Sequence, residues 1–355
     1  SLAFIAPFNL DKIDIDSIEI TKKYLEKLNL STLSLDFYSG TLSALETAKK
    51  LGIKIKLDTY DNKNSFEEID RISNIKKIKN YDFILGPFIP RNINKLSSNL
   101  QGLDVPIISP LTSNEIELNE NVFQSIPSKR LQRELMFSYV DSLIVKDPDP
   151  CVMIIYDSSS EKQKVKLLER FPYAELIDTD LSEGLVDPEI TDSLLVTKKN
   201  NLVFLESQNL NVITSVSSML NSQISKERNI KMLTSYRSEI YENENISLQH
   251  LGNLKFTYPT YFLPKFGEEL SELNNEFLAN FGKLPNKTAI RAYEITLDLI
   301  LRTSYRRKLI KSIDLPETKY YQNRFKYQTF ENGFINNSVL LIQHDDLDVF
   351  EIDLK

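Results

Sequence analysis

The chain has 355 residues, more than the ~250–300 at which a single hydrophobic core stops growing, so two lobes are expected. Its 43 Lys and Arg against 50 Asp and Glu give a formal charge of −7, which leaves no basic footprint for displacing counterions from nucleic acid. No apolar run approaches the ~18 residues that would span a bilayer.

The first residues form a compact apolar run, Leu2 to Ala6, ended by Pro7. No basic-then-apolar segment precedes it, so either the protein is cytosolic or the chain starts after processing, with any export segment or lipid anchor expected outside it. Tyr38, Leu42, Leu45 and Ala48 share a helical face, and Gly52 follows as a helix-closing residue. Ile53, Ile55 and Leu57 alternate as a half-buried strand, with turn chemistry at Asp61-Asn62. Ile69, Ile72, Ile75 and Ile78 form the next helical stripe; DFILG (Asp82–Gly86) and VPIIS (Val105–Ser109) are buried strands. This alternation predicts βαβ units and a parallel sheet.

The pattern restarts near Pro127. Leu131, Leu135, Tyr139 and Leu143 predict a helix, which Asp147-Pro148-Asp149-Pro150 breaks. Strands follow at CVMIIY (Cys151–Tyr156), AELID (Ala174–Asp178), NLVFLE (Asn201–Glu206) and IKMLTS (Ile230–Ser235), with helices at Val165–Phe171 and Val212–Leu220. This is a second doubly wound unit. An extended aromatic segment, Leu254–Phe262, leads to a helix striped by Phe266, Leu270, Leu273, Phe277 and Phe281, then one striped by Ala289, Ala292, Ile295 and Leu299. The basic run Arg302–Lys311 is expected to be a solvated helix end rather than a phosphate or anionic-lipid patch. The tail, Ser338–Leu354, predicts two strands joined by an Asp-Asp turn.

Catalytic and cofactor motifs are missing. There is no GxGxxG, no GxxxxGK[ST] and no GxSxG, and the histidines His250 and His344 belong to no zinc spacing. His344 is expected to face solvent in the terminal turn. Cys151, the lone cysteine, is expected to be a small buried residue rather than a nucleophile. The carboxylate pairs Asp58/Asp61 and Asp345/Asp346 are expected to cap turns. These features favour binding over catalysis, and neither cofactor nor metal is expected.

Several segments carry a resemblance. DFYSGTLSALETAKKLGIKIKLDTYDNKNS (Asp36–Ser65) resembles the first helix and second strand of the type I periplasmic binding proteins, in their branched-chain amino-acid-receptor branch. YDFILGPFIP (Tyr81–Pro90) is similar to the third strand and its loop. VPIISPLTSNEIELNENVFQSIPS (Val105–Ser128) is similar to the fourth strand and the crossing to the second lobe. Residues Thr257–Arg302 resemble the return crossing and two helices, and Phe330–Ile352 the closing hairpin. The nearest flavour is a bacterial subgroup often fused to peptidoglycan-binding LysM repeats.

The resemblance implies an α/β fold of two Rossmann-like doubly wound lobes joined by three crossover strands. Lobe one is expected at residues 1–125 plus 258–328, and lobe two at 126–257 plus 329–355, with crossings near Ser125, Thr257 and Thr329. It implies a non-catalytic receptor, ABC-transporter-like, of the bacterial periplasm or cell envelope. A small polar ligand (an amino acid, a peptide or a cell-wall fragment) would sit in the inter-lobe cleft. The loop after strand four would offer Leu111, Thr112 and Ser113. The loop after strand three reads Phe88-Ile89-Pro90-Arg91 where the family has serines. Arg91 there is either a charge-assisted ligand contact or a plain exposed arginine. Asp157 and Ser158 either meet a ligand ammonium or cap a helix. Phe8 and Asn9 would line the cleft. Some envelope proteins of this fold have lost small-molecule binding and act as modules that bind proteins or peptidoglycan. The second expectation is such a scaffold.

Overall fold

The computed structural model describes residues 1–14, 16–147, 149–179, 186–264 and 271–353. The first strands are β1 (Leu2–Ala6), β2 (Leu57–Asp61), β3 (Phe83–Leu85), β4 (Ile107–Ser109) and β5 (Val122–Gln124). Next come β6 (Cys151–Tyr156), β7 (Glu175–Asp178), β8 (Asn200–Glu206), β9 (Asn229–Leu233) and β10 (Thr257–Thr260). The last six are β11 (Thr318–Lys319), β12 (Arg324–Phe325), β13 (Tyr327–Phe330), β14 (Gly333–Asn336), β15 (Leu340–Asp345) and β16 (Asp348–Glu351). The first helices are α1 (Ile18–Leu25), α2 (Leu30–Lys50), α3 (Phe66–Ser73), α4 (Pro90–Asn99), α5 (Lys129–Lys146) and α6 (Glu161–Arg170). They are followed by α7 (Pro188–Leu194), α8 (Leu210–Ser222), α9 (Leu248–Asn253), α10 (Ser271–Phe281) and α11 (Lys287–Arg306).

The chain divides into two compact units, residues 1–128 with 264–338, and 129–263 with 339–355. The first unit holds a sheet ordered β13-β14-β5-β4-β3-β1-β2, parallel except for the β13–β14 pair. Strand β1 is buried on both faces, as a helix-covered parallel strand must be. Leu2, Phe4 and Ala6 join a core with Phe37 and Ala44 of α2 and Ala292 and Ile295 of α11. Ala3 and Ile5 point the other way, towards Ile69 and Ile72 of α3 and Ile93 and Leu96 of α4. Helix α2 starts where Asn29 accepts from the Ser31 and Thr32 amides and Thr32 accepts in return. Gly40 lets α2 approach α11 closely: a Cβ there would lie 2.0 Å from the Ala289 carbonyl oxygen.

The second unit repeats the plan with a sheet ordered β16-β15-β10-β9-β8-β6-β7, parallel from β10 to β7. Met153 and Ile155 pack with Val212, Val216 and Leu220 of α8, whereas Val152 and Ile154 pack with Met136 of α5 and Leu167 of α6. In both sheets the first five strands of the unit run second, first, third, fourth, fifth, so the order reverses beside the first strand. Such a switch point, at the C-terminal strand ends, is where open α/β sheets take ligands.

Several expectations change. Residues 329–338, expected in the second lobe, stay in the first unit: Phe334 lies opposite Phe123 in the parallel β14–β5 pair, and their rings stack at 4.3 Å. The chain leaves that unit only at Ser338. Helix α3 stops at Ser73, so Ile75 and Ile78 reach the core from the turn that follows. In the next stripe Phe266 and Leu270 lie outside the described residues, while Leu273 and Phe277 of α10 are buried. Arg302, counted in a solvated basic run, is 2% exposed and paired with Asp298. His344 is not a turn residue: it lies in β15, buried on the side of Phe256 and Tyr258, since β15 continues one residue past it before the turn.

Candidate ligand-binding site

At the C-terminal edge of the first sheet, the β1 and β3 loops turn aromatic rings inward. Phe8 packs at 5.8 Å from Phe4 and 5.7 Å from Tyr38, and Phe88 at 5.0 Å from Phe37 and 6.0 Å from Phe4. Both are buried in the aromatic core cluster of the first unit. Asn9 adopts a left-handed backbone, φ 52°, and is buried. Its amide donates to Asp61 Oδ1 at 3.1 Å and its side chain to the Pro7 carbonyl at 2.9 Å and Ser31 Oγ at 3.3 Å. Asp61 also accepts from the Leu10 and Lys63 amides, the loop-capping role expected of it. Asp58 instead pairs with Lys77 and accepts from the Tyr81 hydroxyl, which holds its carboxyl below the usual range.

Leu111 is half-buried against the aromatic core. Thr112 is buried; its hydroxyl accepts from the Asn114 amide and its carbonyl from Gln124 Nε2. Ser113 is half-buried. Arg91 is exposed in the first turn of α4, donating to the Asn64 carbonyl and resting 5.8 Å from the Phe66 ring. Most polar groups expected at this edge are thus engaged in holding its loops.

The second sheet carries two carboxylates at its switch point, both consumed internally. Asp157, after β6, is fully buried; it accepts from the Ser159 amide at 2.9 Å and from the hydroxyls of Ser159 and Ser207. Ser158 beside it is exposed. Glu206, at the end of β8, is 3% exposed and accepts from the Ser235 amide at 2.5 Å. Burial pushes its carboxyl up to about 7, against the pull of the Ser235 and Thr234 hydrogen bonds and the Arg133 charge. Asp157 therefore works as a cap. Asp157→Ala is expected to lower stability by about 1–2 kcal/mol in urea unfolding, whereas Ser158→Ala changes it by under about 0.5 kcal/mol.

Ser235, the partner of Glu206, also lines a hollow of about 360 Å³ that the sequence reading missed. Lys129 and Arg133 of α5, Lys162 and Lys166 of α6, and Ser235 and Tyr236 after β9 line it. The spacings Lys129/Arg133 and Lys162/Lys166 each place two cations on one helical face, but only the packing of α5 beside α6 brings the pairs together. Away from this edge, Cys151 is half-buried and donates to the Leu194 carbonyl, with burial pushing its thiol up. Among the described residues no group of three His, Cys, Asp or Glu side chains could hold a metal ion, and no helix is long and apolar enough to cross a membrane.

No protein-family model and no curated protein sequence matches the chain. Solved structures do. A putative branched-chain amino acid ABC transporter from Rhodospirillum rubrum superposes with a TM-score of 0.66 at 10% identity, covering 99% of each chain. The fold is that of the type I periplasmic binding proteins. A second protein of this type I fold is a branched-chain amino acid ABC transporter periplasmic ligand-binding protein from Burkholderia xenovorans. It gives a TM-score of 0.60 at 10% identity over 99% of this chain and 94% of that one. The type I fold also recurs in LpoA from Haemophilus influenzae, with a TM-score of 0.59 at 10% identity over 99% of this chain and 58% of that one.

Proposed function

We propose that this chain is a non-catalytic receptor of the bacterial periplasm or cell envelope that holds a small polar ligand at the C-terminal ends of its parallel strands. The observation that carries this reading is the open hollow at that edge of the second sheet, in a chain whose type I fold extends along its whole length. Parallel sheets concentrate loop amides, helix N-termini and strand-end side chains at this edge, which suits recognition of a small molecule. The R. rubrum and B. xenovorans proteins, described as transporter components, support a similar role here.

The test is a thermal-shift screen of the intact chain against amino acids, organic acids, short peptides and muropeptides. At about one hundred times its dissociation constant, a ligand stabilises the folded state by about 2.7 kcal/mol. At least one class is expected to raise the melting temperature, and a flat response across the library would sink the receptor reading. The muropeptide arm also tests the proposed kinship with receptors fused to LysM repeats.

One observation favours a second reading, an envelope scaffold that binds a protein or peptidoglycan. The first sheet's edge is closed by Phe8 and Phe88 and by internally bonded polar groups, as a surface relieved of ligand binding would be. This reading expects the flat screen, together with a specific envelope protein recovered on immobilised chain or co-sedimentation with peptidoglycan.

A further inference from the structure

We infer that the hollow on the second unit takes a small organic carboxylate with an apolar body and no ammonium group. The inference rests on the receptor reading and names the ligand class for that site. The sign of the lining comes first. Four cations border the hollow and no carboxylate does, in a chain whose overall charge is −7. Glu169 neutralises Lys166 at 2.8 Å. Lys129 stands 4.4 Å over the Tyr236 ring, so its charge stays at the rim. Lys162 is exposed and Arg133 half-buried, neither with an ion-pair partner among the described residues. The Arg133 Nε is itself buried without a hydrogen-bond partner. That Nε is closed off from the hollow, which leaves the terminal guanidinium nitrogens of Arg133, a lining residue, as the donors that suit a carboxylate. The N-terminal turns of α5 and α6 add positive partial charge on the same side.

The rest of the lining defines the body of the ligand. Val165, the Tyr236 ring and the aliphatic stems of the lysines supply apolar contact, which an inorganic phosphate or sulfate would leave unused. The absence of an ammonium follows from the two carboxylates at this edge. Asp157 and Glu206 are buried and bonded to Ser159, Ser207 and Ser235, so neither faces a ligand amine. A zwitterionic amino acid would bring its ammonium beside Lys162 and Arg133, cations without an ion pair among the described residues. A simple acid would not.

The experiment is calorimetric titration of the intact chain with benzoate and hexanoate, with benzamide, hexanamide and leucine as comparisons. The carboxylates are expected to bind and the neutral amides and leucine are not. Lys162→Gln and Arg133→Gln are each expected to weaken benzoate or hexanoate about tenfold, and raising salt to about 0.5 M to weaken it further. Because Lys162 is exposed, its variant keeps the fold, and an unchanged melting temperature without ligand verifies this. The inference is overturned if leucine binds while both carboxylates are silent, if the amides bind as well as the acids, or if both variants bind like the parent. Silence of both carboxylates also overturns it, while the receptor reading then stands or falls on the wider screen.

Discussion

Arg302→Met is expected to destabilise the protein by about 3–5 kcal/mol at neutral pH, the largest single-residue loss anticipated here. The guanidinium is 2% exposed and saturated: Nε donates to Asp298 Oδ2 at 2.7 Å, Nη1 to the Ser312 carbonyl at 3.2 Å, and Nη2 to Thr318 Oγ1 at 2.9 Å and the Phe325 carbonyl at 2.8 Å. One side chain therefore ties the last turns of α11 to the β11–β12 hairpin. Methionine matches the stem but leaves Asp298 to carry an unpaired buried charge or to take up a proton, in a site where burial already pushes its carboxyl up. The pH dependence separates charge from packing. Without Arg302 the folded-state carboxyl titrates still higher, so the folded chain holds a proton that the unfolded chain has lost. The loss therefore grows as pH rises above the ordinary carboxylate range and shrinks near pH of about 4. Adding Asp298→Asn should restore much of the stability. The chain has no tryptophan, so circular dichroism in urea is the suitable probe. A loss under about 1 kcal/mol, or one unchanged between acid and neutral pH, would show that the pair is not a buried charge pair in solution.

The same residue shows where sequence reading stops. A basic run at a helix end resembles any solvated terminus; only the hairpin folding back over it makes Arg302 interior. What was legible was the repeated order of strand and helix. Strands such as β1, β6 and β8, covered on both faces, must be continuous apolar runs, and LAFIA, CVMIIY and NLVFLE announce themselves. Strands β13 and β14 are four residues each, and their sheet is chosen by a distant partner, Phe123 of β5. Nothing local in YQTF or GFIN encodes that choice. His344 carried a usable signal: Leu340, Ile342 and His344 alternate on one face of β15, so period two puts the imidazole inside.

The site was less legible because strand-end polar residues have two uses with one appearance. Asp157-Ser158-Ser159 is the pattern of a helix cap and equally of a ligand contact, and the choice depends on Ser207, fifty residues away. Phe8 and Phe88 stand at the right ends of β1 and β3, but a loop's position does not fix the direction of its side chains. Here the rings complete a cluster around Phe4 and Phe37. The cationic hollow left no motif, since it is assembled from two ordinary helical faces and a loop.

Glu206→Gln and His344→Leu are expected to change the pH profile of the second unit in opposite senses, by about 3 kcal/mol each. Burial raises the Glu206 carboxyl from 4.5 to about 7. Between those values the folded state keeps a proton that the unfolded state has released, so this group's contribution to stability falls as pH rises. Burial, helped by the Arg237 charge, lowers the His344 imidazole from 6.5 to about 4. Its ring lies 5.7 Å from Phe256 and 5.9 Å from Tyr258, and in that window the unfolded chain binds a proton the folded chain excludes. Its contribution therefore rises with pH. Each gap of about 2.5 in pKa is worth about 3 kcal/mol, and the two windows overlap, so the parent's slopes from these groups nearly cancel between pH of about 4.5 and 6.5. Glutamine keeps an oxygen for the Ser235 amide. Its variant should match the parent below pH of about 4.5 and gain about 3 kcal/mol above 7, leaving the histidine slope unopposed. Leucine at 344 carries a constant packing cost, but its stability relative to the parent should improve by about 3 kcal/mol as pH falls from about 6.5 to 4. Urea unfolding at several pH values gives both difference profiles. If both ran parallel to the parent, neither group would be buried as described. If only one did, the cancellation would fail, and the parent itself would show the other group's slope.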